Sequence, residues 1–145
     1  MRRIFSLVAA LALAVVLPLQ ALAAPLFWES PHEPPTLLRY SYTGSITAGL
    51  SISNGKASCS GIIDPDNGYY ASIRVVLYRS SNGRSWTQIA SWSGSSSTAG
   101  LPAAASGSKS ISSGYKYKVT AFGTVKDSDG DVMESPSKTT AIKSY

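Results

Sequence analysis

The chain has 145 residues, with one Cys and one His, 13 Lys and Arg, and 8 Asp and Glu. One Cys and one His cannot supply the three or four N/S ligands that zinc takes, and they leave a single histidine for any Ser-His-Asp or Cys-His unit. The formal charge of +5 includes the adjacent Arg2 and Arg3; the other Lys and Arg are scattered singly, not set in the dense positive stripe that nucleic-acid binding requires.

Met1-Arg2-Arg3 precedes an apolar run from Ile4 to Leu17, and Ala21-Leu22-Ala23 closes it. That order is the signature of a secretory signal peptide, and the run is too short for a membrane span of ~20 residues. Residues 1–23 are therefore expected to direct secretion, leaving an extracellular chain with no membrane span. Loss of Arg2 and Arg3 leaves 11 basic against 8 acidic residues, a charge of about +3. Residues 24–39 read as a proline-rich leader, because Pro25, Pro31, Pro34 and Pro35 favour extended backbone. His32 lies in that leader, where no third group can hold it rigidly. The expectation is a protein that is not an enzyme, with no catalytic residue and no cofactor.

From Tyr40 the pattern becomes short alternating runs. Ile46, Ala48, Leu50 and Ile52 share one parity against Ser45, Thr47, Gly49 and Ser51, the period of a half-buried strand. Lys56 to Ile63 alternates Ala57 and Cys59 against Ser58 and Ser60. Ala71 to Arg79 is dense enough for a central strand, and Ser85 to Ser93 carries Trp86, Ile89 and Trp92, with Trp86 expected in the core. Ser91 to Gly107 is rich in Ser, Gly and Ala, and reads as a long flexible connection with a short edge strand near Lys109–Ile111. Tyr115, Tyr117, Val119, Ala121 and Val125 face one way; Lys116, Lys118, Thr120 and Phe122 face the other. The last run, Val132 to Ile142, contains Pro136 and so belongs at an edge or a bulge. Each of the three Asn (Asn54, Asn67, Asn82) is followed by Gly, the pair that tolerates the positive φ of tight turns. The whole predicts an all-β domain over 40–145: an antiparallel immunoglobulin/fibronectin III-like sandwich of about seven strands.

The segment Leu77-Tyr78-Arg79-Ser80-Ser81-Asn82-Gly83-Arg84-Ser85-Trp86-Thr87-Gln88-Ile89 resembles the third and fourth strands of fibronectin type III modules of bacterial secreted proteins. Ser113-Gly114-Tyr115-Lys116-Tyr117-Lys118-Val119-Thr120-Ala121 resembles their sixth strand. The resemblance implies that Tyr115 is the corner tyrosine, its hydroxyl bonding backbone upstream. It also implies that Tyr117 stands where an immunoglobulin domain has its second disulfide Cys, which leaves Cys59 a buried, unpaired hydrophobe. The front half, Leu50 to Gly61, is similar to an uncharacterised family of small secreted proteins from Gram-positive bacteria, which implies a sandwich and no assigned activity.

In such a sandwich the second-to-third and sixth-to-seventh strand loops share one end. That end gathers Asp64, Asp66, Asn67 and Tyr69 with Asp127, Asp129 and Asp131, and it is the expected ligand-binding tip. Tyr69 and Tyr70 are adjacent on a strand, so they point to opposite faces. An exposed tyrosine beside Asp and Asn suits sugar or protein recognition. The three alternating Asp fail the helical calcium loop, since its sixth and twelfth positions are Val132 and Lys138. The carboxylates are read as turn residues and no metal is expected. Glu134, on the last strand, is expected to be solvated. The reading is a monomeric, secreted binding module for an extracellular glycan, wall polymer or protein. The alternative is a structural or matrix protein acting by self-association.

Overall fold

A computed structural model describes residues 40–145. The expected signal peptide and the leader, with His32, lie outside the described residues. The strands are β1 (Thr43–Ser53), β2 (Lys56–Pro65), β3 (Tyr70–Ser80), β4 (Thr87–Ser95), β5 (Ala103–Ser110), β6 (Lys116–Lys126), β7 (Val132–Glu134), β8 (Ser137–Thr139) and β9 (Lys143–Ser144). One sheet has the order β1-β2-β5. The other runs β4-β3-β6, with β7, β8 and β9 in turn along the far edge of β6. Every pairing is antiparallel. The last three strands fill one position, so the molecule is an immunoglobulin/fibronectin III-like sandwich of seven strand positions.

Local chemistry explains the elements. Asn54 and Gly55 take φ of 49° and 70°, and so turn β1 directly into β2 with the twist a tight hairpin needs. Alternation then sorts the residues. Leu50, Ala57, Cys59 and Ile63 line one inner face; Ile73, Val75, Leu77, Tyr117, Val119 and Val125 line the other. Pro136 interrupts the last run between β7 and β8 and is itself fully buried, its carbonyl accepting from the Gly123 N–H at 2.8 Å. Burial pushes the Cys59 thiol from 9.0 to about 11, because the thiolate would lose its water.

Three expectations are corrected here. The segment read as a flexible connection contains most of β5, an eight-residue strand paired along its length with β2. Its small residues fit because the layers close on each other there. A Cβ at Gly107 would collide with the Trp92 indole, and one at Gly94 with the Ala104 carbonyl. Second, Trp86 is not core. The register slips at Leu77/Tyr78, where Leu77 pairs with Ala90 and Tyr78 with Gln88, leaving Ile89 as a bulge. A bulge inverts the parity beyond it, so Trp92 turns inward against the core while Trp86 stands on the outer side. Third, the corner tyrosine is Tyr117, not Tyr115. Tyr117 is 0% exposed; its hydroxyl donates to the Ser112 carbonyl at 2.7 Å and accepts from the Ser112 N–H at 3.2 Å. Tyr115 lies just before β6, half-buried, with the Arg79 guanidinium 4.6 Å from its ring centre. Two positions beyond Tyr117 stands Val119, fully buried in the same core cluster as Cys59, which is a free thiol.

Candidate functional site

The expected tip exists as an end of the sandwich, where β2 stops, β3 starts and β6 stops beside Tyr70. One carboxylate and several backbone groups there build that end. The Asp127 carboxylate accepts from the Asp129 N–H at 3.0 Å and the Asp131 N–H at 2.9 Å, closing its own loop. The Asp66 N–H donates to the Tyr42 carbonyl, and the Asp66 carbonyl accepts from Tyr69. Asn67 lies against Gly100, whose N–H donates to the Tyr69 carbonyl. Asp64 is exposed beside Gly44. Among the described residues no three His, Cys, Asp or Glu side chains stand close enough to hold a metal ion. Tyr69 is half-buried, packed on the core with its ring 5.0 Å from that of Tyr42; the exposed phenol is Tyr70, at 38%. Glu134 is not a solvated strand residue. Its carboxylate accepts from Ser41 N–H (2.9 Å), Tyr42 N–H (3.2 Å) and Thr43 Oγ1 (2.6 Å), clamping the entry to β1.

A different surface gathers groups with free chemistry: the outer face of the β4-β3-β6 sheet. Cross-strand register places Tyr70 opposite Lys126, Arg74 opposite Phe122, and Tyr78 opposite Lys118. An aromatic–cation pair thus recurs every four residues, roughly 13 Å apart along the strands. The Arg74 guanidinium lies 5.7 Å from the Phe122 ring centre. The Lys118 ammonium lies 4.3 Å from the Trp86 ring centre and 5.8 Å from that of Tyr78, held between two ring faces by their quadrupoles. Trp86 is set in place by the turn before it, where the Asn82 side-chain oxygen accepts from Arg84 N–H at 2.8 Å and Ser85 N–H at 2.9 Å. The Lys116 side chain crosses this turn beside Gly83. Strands β3, β4 and β6 contain no Asp or Glu at all.

Between the pairs the face is cut by shallow troughs. One of about 360 Å³ is lined by Ser72, Arg74, Ser93 and Ser95. A second, of about 190 Å³, continues it past Tyr70, Thr124 and Lys126. A larger depression of about 640 Å³ lies on the opposite sheet among Gly49, Ser51, Ser58, Ser60, Ser106 and Ser108. Its polar side chains are serine hydroxyls, with Leu50 and Cys59 also in its lining and no ring or charge to orient a ligand.

The charges that look scattered in sequence are therefore collected by register. Arg74 and Tyr78 share outward parity on β3, and Lys116, Lys118 and Phe122 do so on β6. That signal is readable strand by strand, but the pairing of the two strands is not.

No protein-family model matches the chain, and neither does any curated protein sequence. Two solved structures are similar in fold. The solution structure of CsgH from R. palustris is 11% identical with a TM-score of 0.41, over 66% of this chain and 88% of that one. The crystal structure of Spo0M, a sporulation control protein from Bacillus subtilis, is 9% identical with a TM-score of 0.45, over 70% of this chain and 48% of that one. Likeness at this level carries no functional argument.

Proposed function

We propose that the protein is a secreted, non-catalytic binding module whose ligand is an acidic linear glycan laid along the outer face of the β4-β3-β6 sheet. The observation that carries the reading is the run of aromatic–cation pairs Tyr70–Lys126, Arg74–Phe122 and Tyr78–Lys118, ending at Trp86. Ring faces offer flat apolar platforms to the C–H faces of sugars, and the neighbouring cations pair with sugar carboxylates. The face is open and runs roughly 30 Å from Tyr70 to Ser80, a shape suited to a chain rather than to one enclosed sugar. The absence of acidic residues from β3, β4 and β6 removes the repulsion that would reject a polyanion.

Affinity electrophoresis with polygalacturonate tests this reading. The protein should be retarded by polygalacturonate and not by dextran or by fully methyl-esterified galacturonan. Trp86→Ala with Lys118→Ala should weaken the retardation by about tenfold or more, since each lost contact is worth on the order of 1 kcal/mol. Ser58→Ala with Ser106→Ala, on the opposite sheet, should bind as the parent does. Equal retardation by dextran, or full binding by the Trp86/Lys118 variant, would sink the proposal.

A further inference from the structure

The free border of β1 is built differently from every other border of the two sheets. Its eleven residues, Thr43 to Ser53, include no charged side chain and no proline. Natural edges are normally blunted by one or the other. The far border of the second sheet is blunted in this way: β7, β8 and β9 are two or three residues long and include Lys138, with Pro136 between them. The borders of β4 and β5 meet each other, so close at Gly94 and Ala104 that no Cβ fits between them. Among the described residues only β1 offers a long free border with neither charge nor proline. Its inward residues Ile46, Ala48 and Ile52 pack on the core but stay half-exposed at that border. Its start is fixed by the three hydrogen bonds to Glu134, so little ordering is left to be done on pairing.

Charge along the strand axis selects the occupant. All six acidic side chains of the described residues, Asp64, Asp66, Asp127, Asp129, Asp131 and Glu134, lie at the end where β1 begins. The end where β1 stops carries Lys56 in register with Ser53, then Lys109 opposite Ala57. We infer that β1 pairs antiparallel with β1 of a second copy of this chain, joining two three-stranded sheets into one of six strands across a two-fold axis near Ala48. Antiparallel pairing lays the acidic end of each copy beside the Lys56 end of the other. Parallel pairing would lay like ends together and is disfavoured. Around the axis itself no charge opposes approach.

Sedimentation velocity over a concentration series from roughly 1 to 300 µM, the range in which a small interface associates, tests this. The purified protein should pass from monomer to dimer across the series. The amides of Gly44–Ser53 should exchange more slowly with deuterium as concentration rises. Thr47→Lys with Ser51→Lys places two ammonium groups on exposed, outward positions, so the fold and its melting temperature should persist while dimer is lost. A parent protein that stays monomeric throughout would overturn the inference. So would a dimer that survives both lysines, or one that leaves the β1 amides unprotected.

Discussion

The two sheets obey the same alternation but turn unlike surfaces to water. Outward positions of β1, β2 and β5 are largely small hydroxyl residues, such as Thr47, Ser51, Ser58, Ser60, Ser106 and Ser108. Outward positions of β3 and β6, with Trp86 before β4, carry four rings and four cations. Both inner faces are equally apolar, so the fold makes the same demand on each sheet. The outer face of β1, β2 and β5 carries no aromatic ring, and its large exposed hydrophobe is Ile62, at 47%. Phe122 and Tyr70, each 38% exposed, and half-buried Trp86 and Tyr78, are thus not required by the sandwich. They are what recognition would add to it.

The sharpest way to break that contrast uses the two tryptophans near and within β4. Trp92→Ala should destabilise by about 3–5 kcal/mol, as truncation of a core ring does. Trp86→Ala should cost about 1 kcal/mol or less, the worth of an exposed cation–π contact. Chemical denaturation of both variants measures the difference, and equal losses would mean that the bulge at Ile89 does not invert the strand. A smaller effect is expected at the corner. Tyr117→Phe leaves the Ser112 N–H and carbonyl without their partner and should cost about 1–3 kcal/mol, whereas Tyr115→Phe should stay within ±0.5 kcal/mol. Thermal melts of the pair would reveal a reversal.

The mildest test lies between the sheets. The folded Cys59 thiol sits at about 11 and its unperturbed value is 9.0. The unfolded chain therefore gives up its proton first. Stability from this group is complete below pH 9.0 and falls as pH rises through about 11. Cys59→Ala should flatten that alkaline decline in a denaturation series. At neutral pH a thiol reagent should reach Cys59 only after unfolding.

Strand parity was legible in Ile46 to Ile52 and Tyr117 to Val125, where inward positions are apolar and most outward ones polar, whereas Ala71 to Leu77 was marked by its density, Val75, Val76 and Leu77 all being buried. β5 was not, since Ala103, Ala105 and Gly107 are small to suit Gly94 and Trp92, residues distant in sequence. Trp86 was misplaced because one bulge residue shifts the phase of a strand without leaving any mark in the local pattern. Tyr115 and Tyr117 share parity, but it is Tyr117 that is fully buried with its hydroxyl on Ser112, while Tyr115 stays half-buried. Glu134 was missed because its partners are the backbone of Ser41 and Tyr42 and the Thr43 hydroxyl, more than ninety positions earlier. For the candidate site, the expected loops do share an end, where the Asp127 carboxylate closes its own turn and Tyr69 packs on the core. The aromatic–cation face arises from the register between β3 and β6, and a single strand cannot state it.

The claim that one outer face recognises and the other only solvates is tested most directly by NMR. Backbone amide shifts would be followed while a short oligogalacturonate is titrated into labelled protein. The account predicts that the moving resonances lie on β3, β6 and the turn before β4, centred on Arg74, Tyr78, Trp86, Lys118 and Phe122, with Ser58, Ser60 and Ser106 unmoved. Shifts confined to Asp64–Tyr69 and Asp127–Asp131, or to the serine face, would contradict it.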